Sequence, residues 1–241
     1  MRVKCLVIAA AAFIVSVACF AEPIPKYLEL ARELVATVKP ENNKYSYTGS
    51  NGVRLKGDLF ASENSVNTMC SGFVTAMLER TDNPAIKAIK SKGDWINGYL
   101  RVDSFYRAVE KEYGLKKIAD LRQLQPGDIL VMRCLNGCFS SQGSAQGHVA
   151  LVDSFPESKE PGAPRLDGTS QWTLKVIDAN DYPHDLDDTR RVPGLKVTGV
   201  GRGTLRLYTD ADGHVVAYTE GPNGQRLFTS DTRPVVFGRP Q

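Results

Sequence analysis

Apolar side chains follow one period in the first half of the chain and another in the second. Tyr27, Leu28, Ala31, Leu34, Val35 and Val38 recur at three- and four-residue steps, which predicts a helix opened by Pro25 and ended by Pro40. The spacing returns in Phe73, Val74, Met77 and Leu78, directly after Asn67-Thr68-Met69-Cys70-Ser71-Gly72, where Asn67 or Thr68 is a competent N-cap. Residues 81–93 predict at most a short helix. Trp95, Tyr99, Phe105, Tyr106, Val109 and Tyr113 then continue the helical spacing, with Asp103 or Ser104 as cap and a stop near Gly114. At Pro126-Gly127-Asp128 the period changes. Residues 129–132 and 148–152 are short apolar runs bounded by turn residues, the pattern of buried strands. Trp172, Leu174 and Val176 alternate along a third strand, and Asp178 and Asn180 continue their row. Three further strands are predicted over 204–208, 214–218 and 226–229, joined by turns at 210–213 and 221–224.

The amino terminus changes the picture of where this fold operates. Met1-Arg2-Val3-Lys4 is basic, an apolar run extends from Cys5 to Phe20, and Ala21-Glu22-Pro23 breaks it, which is the layout of a secretory signal peptide cleaved near Ala21. A lipoprotein cut before Cys19 fits less well, because Ser16 stands where a large aliphatic residue is needed. The expected organisation is a signal peptide at 1–21, a helix at 22–40, a core at 41–200 and a C-terminal β extension at 201–241. No later run reaches the roughly 18 apolar residues of a membrane span. The mature protein is therefore expected to be periplasmic or secreted, with no stable membrane span. With 42% apolar and 24% charged residues among 241, the composition is that of an ordinary globular chain. Losing Arg2 and Lys4 leaves 28 of the 30 basic residues against 27 acidic ones, a balance that gives no reason to expect a nucleic-acid partner.

Export leaves three cysteines. Cys134 and Cys138 enclose only Leu135-Asn136-Gly137 and are expected to close a small disulfide loop, which makes Cys70 the odd thiol. No second ligand pair sits at zinc spacing, so neither a metal nor a cofactor is expected. The acidic residues Asp185, Asp187 and Asp188 read as a solvated loop, and 210–213 as a turn lacking the later ligands of a calcium loop. Cys70, in the first turn of its helix, would feel unpaired N–H groups and the positive dipole end, both of which favour the thiolate. The competing reading is a small buried hydrophobe. Asp178, at the end of a core-facing row, would be costly to bury without a partner.

In order, Cys70-Ser71-Gly72-Phe73-Val74, Pro126-Gly127-Asp128, Gly147-His148-Val149-Ala150 and Val176-Ile177-Asp178-Ala179 resemble the NlpC-type cell-wall peptidases and the related CHAP amidases. The resemblance implies an α+β papain-like fold, with the nucleophile helix packed on an antiparallel sheet and a C-terminal β-hairpin extension. It also implies a cysteine hydrolase with Cys70 as nucleophile, His148 as base and a third polar residue orienting the base. Asp178, Asn180 and His184 compete for that third role, and strand parity favours Asp178. Tyr45 matches the tyrosine near the thiol in the NlpC type, and the Ser71 backbone N–H would serve an oxyanion site. The implied substrate is an amide bond, foremost in peptidoglycan stem peptides or another peptide. Met69, where the family carries an acidic residue, and the long interval from Cys70 to His148 depart from the pattern. They motivate an alternative, a secreted binding or inhibitory module without catalysis.

Overall fold

The structure, a computed structural model, describes residues 23–46, 52–59, 61–92, 95–96, 99–135 and 147–241. The expected signal peptide and Cys138, with its expected disulfide, fall outside them. The elements in chain order are α1 (Lys26–Thr37), β1 (Asn43–Tyr45), β2 (Val53–Arg54), β3 (Ser65–Thr68), α2 (Cys70–Arg80), α3 (Pro84–Lys92), β4 (Trp95–Ile96), β5 (Tyr99–Leu100), α4 (Val102–Glu110), β6 (Leu115–Ile118), β7 (Ile129–Arg133), β8 (Gly147–Val152), β9 (Glu157–Lys159), β10 (Ser170–Asn180), β11 (Gly199–Thr209), β12 (Val215–Thr219), β13 (Phe228–Thr229) and β14 (Val235–Pro240).

A nine-stranded sheet dominates, in the order β13-β12-β11-β10-β8-β7-β14-β6 with β9 paired to β10, and its pairings are antiparallel. Alternation along the strands sends successive side chains to opposite faces. Ile129, Val131, Val149, Leu151, Ile177 and Ala179 meet the helices in one core cluster. Leu130, Met132, Ala150, Val152, Leu174 and Val176 join Leu205, Leu207, Tyr218, Phe228 and Phe237 in a second. The sheet curls enough for β12 to touch β14, which closes the second cluster. Because both faces are covered, β7 and β8 are continuous apolar runs rather than alternating ones.

This architecture corrects the expected fold class. The α+β papain-like arrangement gives way to a long antiparallel sheet with four short helices among the described residues. The segment after 200 is no hairpin extension. β11 pairs with β10 over eleven positions, from Ser170↔Thr209 to Asn180↔Gly199, and β14 is inserted between β7 and β6. Both strands carry glycine, and β14 ends in Pro240; these residues weaken a strand signature, so pairing partners rather than propensity make them strands.

Local expectations fared unevenly. Helix α1 buries Tyr27, Leu28, Ala31 and Leu34, and Tyr27 Oη donates to the Gly127 carbonyl at 2.8 Å, tying the helix to the turn before β7. Asn67 and Thr68 belong to β3 and do not cap α2; Met69 occupies the N-cap without a side-chain bond. Arg101, not Asp103 or Ser104, caps α4, and the stretch from Trp95 to Leu100 pairs as β4 and β5 instead of extending the helix.

Candidate active site

Helix α2 delivers Cys70 as its first residue, against β8 and β10. The first N–H groups of a helix have no intrahelical partner, so the Ser71 N–H is directed towards the same end as the thiol. On the other side, β8 opens at Gly147, whose φ of +151° is closed to other residues and where a Cβ would overlap the Met132 carbonyl. That close approach seats His148 at the strand start.

The two groups that lower the Cys70 thiol are the His148 imidazole and the Val149 backbone N–H. His148 Nε2 lies 2.5 Å from Asp178 Oδ2. Cys70 is 4% exposed, and the His148 side chain is 18% exposed, so the imidazole is the solvent-facing member of the pair. Burial pushes the Cys70 thiol up, but the His148 charge, its hydrogen bond and the Val149 N–H outweigh burial and bring it below its usual value. Burial pushes His148 down, and the Cys70 and Asp178 charges reverse this, raising it to about 10. The two shifts describe one thiolate–imidazolium pair.

Asp178 is fully buried, which by itself raises a carboxyl. His184, Arg190 and His148, in that order, supply the positive charge that holds it well below the usual range. His184 Nε2 lies 2.6 Å from Asp178 Oδ2, and Arg190 Nη1 is paired with Oδ1 at 2.9 Å. Arg190 in turn grips both oxygens of Asp188, at 2.9 and 2.6 Å, and donates to the Gly199 carbonyl at 3.1 Å. Asp188 Oδ2 also accepts the His184 backbone N–H at 2.9 Å. The pair on Asp178 therefore sits on a charged network that keeps a buried carboxylate ionised.

Space for this network comes from β11. Gly201 stands opposite Asp178, with Gly203 opposite Val176. A Cβ on Gly201 would lie 2.6 Å from Arg190 Nε, and one on Gly203 would lie 2.5 Å from Asp188 Oδ2 and 3.0 Å from the His184 Cβ. The alternation Gly199-Val200-Gly201-Arg202-Gly203 is the sequence signal that could have announced large side chains lying across this strand.

The other expected residues are placed as follows. Asn180 turns to its own neighbour, accepting the Asp181 N–H at 2.8 Å. Tyr45 pairs with Thr68, beside the segment that leads into Cys70. Ser71 is buried, and its hydroxyl has no hydrogen-bond partner among the described residues. Cys134 is buried, and Cys70 is the free cysteine among the described residues. The 185–188 loop is corrected: Asp185 and Asp188 are buried rather than solvated, and Asp185 Oδ2 accepts the Asn223 N–H at 2.8 Å. Arg190 was not anticipated at all.

No family model matches the chain, and no solved structure matches it. The chain is similar to an uncharacterized protein of Acanthamoeba polyphaga mimivirus, 28% identical over 227 residues that cover 89% of this chain and 96% of the relative. The similarity thus spans nearly the whole of both proteins, but it carries no activity with it.

Proposed function

We propose that this chain is an exported cysteine hydrolase that cleaves amide bonds, with Cys70 as nucleophile, His148 as base and acid, and Asp178 as the positioning carboxylate. What supports the reading is the 2.5 Å contact of His148 with the buried Asp178, together with the mutual influence of Cys70 and His148 that shifts the thiol down and the imidazole up. A thiolate so paired attacks a carbonyl carbon, and the carbonyl oxygen gains the charge that the Ser71 N–H would stabilise. His148 then returns its proton to the leaving amine, and water hydrolyses the thioester. Asp178 holds the ring orientation and stabilises the imidazolium. The substrate proposal, stem peptides of peptidoglycan, rests on the sequence resemblance and not on the fold.

The test digests purified peptidoglycan with the wild type and with Cys70→Ala, and identifies the products by mass spectrometry. New amine and carboxyl termini are expected with the wild type alone, with Cys70→Ala slower by about a thousandfold or more. Equal product from both would remove the nucleophile. A binding or inhibitory module is the second reading, favoured by the 4% exposure of Cys70. It requires slow alkylation of Cys70 at mildly acidic pH, where the hydrolase requires rapid alkylation.

A further inference from the structure

We infer that His148, Asp178 and His184 form a reversible site for a divalent transition metal of the zinc class, and that filling it switches Cys70 off. Three ligand atoms converge: the Nε2 atoms of both histidines lie 2.5 and 2.6 Å from the same oxygen, Asp178 Oδ2, and all three lie within 4.8 Å of one another. Bonds of about 2.0–2.2 Å to nitrogen and oxygen set ligand atoms roughly 3–3.5 Å apart, so the carboxylate–imidazole pairs would open by under about 1 Å. Two imidazoles and one carboxylate suit zinc, cobalt or nickel, whereas calcium and magnesium demand oxygen ligands throughout.

Part of the supporting shell is in place, although His184 Nδ1 is buried without a hydrogen-bond partner among the described residues. Arg190 is paired with Asp178 Oδ1, so Oδ2, the oxygen that meets both imidazoles, is the one an ion would take. The His184 backbone is fixed by Asp188, and its side chain lies against Gly203. Such outer contacts orient ligands before the ion arrives. The Arg190 guanidinium next to the same carboxylate also weakens cation binding, which makes the ion a reversible regulator and not a resident cofactor. Entry is from the His148 side, the more exposed of the three. Each imidazole coordinates through the Nε2 lone pair, so any proton held there leaves to solvent. The ion therefore replaces the bond between His148 and Asp178 on which the thiolate pair depends. Cys70 is not among the ligand atoms that converge there.

The binding half of this inference stands without the hydrolase reading; only its consequence for turnover rests on it. The experiment titrates chelator-treated full-length protein with Co2+ and follows the visible spectrum. Expected are d–d bands of a low-coordinate site without a near-ultraviolet thiolate-to-cobalt band, and affinity within about threefold in Cys70→Ala. His184→Asn is expected to weaken binding at least tenfold, and Zn2+ to slow Cys70 alkylation at least tenfold in the wild type. Absence of saturable binding below about 100 µM overturns the site, as does a thiolate band that disappears with affinity in Cys70→Ala. Both of those readings use proteins that retain His184, so they stand even where His184→Asn does not fold. Cobalt binding without peptidoglycan cleavage would sink the peptidoglycan reading and leave the metal site; cleavage without cobalt binding would do the reverse.

Discussion

Replacing Asp178 with asparagine keeps the shape of the site and removes one charge, which makes it the sharpest probe of the Cys70–His148 pair. Asp178 acts on the thiol in two opposing ways. Its direct charge raises the Cys70 pKa, but by less than the imidazolium that Asp178 helps to maintain lowers it. Loss of the carboxylate should therefore move the acid limb of Cys70 reactivity upward in pH. For His148 the partner lost sits at 2.5 Å. A hydrogen bond to a charged group contributes a net of about 1.5–3 kcal/mol, and one pH unit corresponds to about 1.4 kcal/mol. The alkaline limit of the pair should thus fall from about 10 by roughly one to two pH units.

The signs follow from the shifts. A raised imidazole is protonated until pH passes its folded value, and a lowered thiol is ionised once pH exceeds its own. The ion pair consequently occupies the window between the lowered Cys70 value and about 10. The assay is the second-order rate of Cys70 alkylation by iodoacetamide from pH 4 to 11, in the wild type, Asp178→Asn and Asn180→Ala. Asp178→Asn should move the acid limb of this profile upward in pH, and Asn180→Ala should leave it unchanged, because Asn180 is turned to the Asp181 N–H. An unaltered or lowered acid limb in Asp178→Asn refutes the assignment of Asp178 as the partner of His148.

Three further outcomes are expected. Arg190→Met leaves Asp188 buried without its cation and Asp178 with imidazoles alone; urea unfolding at pH 7 should show a loss of about 3–5 kcal/mol, and a loss under 1 kcal/mol would mean that the guanidinium is dispensable. Because Asp178 is held below its ordinary 3.8, its stabilising contribution is present above that pH and lost as pH falls through the folded value, so this acid-side decline should also be shallower in Arg190→Met. Gly201→Ala puts a Cβ 2.6 Å from the fully buried Arg190 Nε and should cost about 1–3 kcal/mol, read as a lower urea midpoint at unchanged slope; an unchanged midpoint would show that β11 yields. Deleting residues 234–241 removes β14 and exposes the facing edges of β6 and β7, so the truncated chain should aggregate in size-exclusion chromatography, where a peripheral extension would be lost without consequence.

Periodicity in the sequence was enough to locate α1, its buried face, and the strands that became β7, β8 and β10, because a 3.6- or twofold repeat directly reports which side of an element is buried. It also marked Cys70, His148 and Asp178, each standing where an apolar run begins or ends. Sheet order was beyond its reach: β14 lies between β7 and β6, strands more than a hundred residues earlier in the chain, and no local pattern encodes that pairing. Only the tertiary structure chose among Asp178, Asn180 and His184. The β8–β10 register, Val176↔Val152 and Ile177↔Leu151, would if continued set Asn180 opposite His148, yet the pairing stops there and Asp178 reaches the imidazole. His184 and Arg190 arrive through a loop folded back over the glycines of β11. A carboxylate can remain ionised inside a protein only where enough positive charge converges on it, and that convergence comes from three separated positions, 148, 184 and 190, which meet only once the sheet has formed.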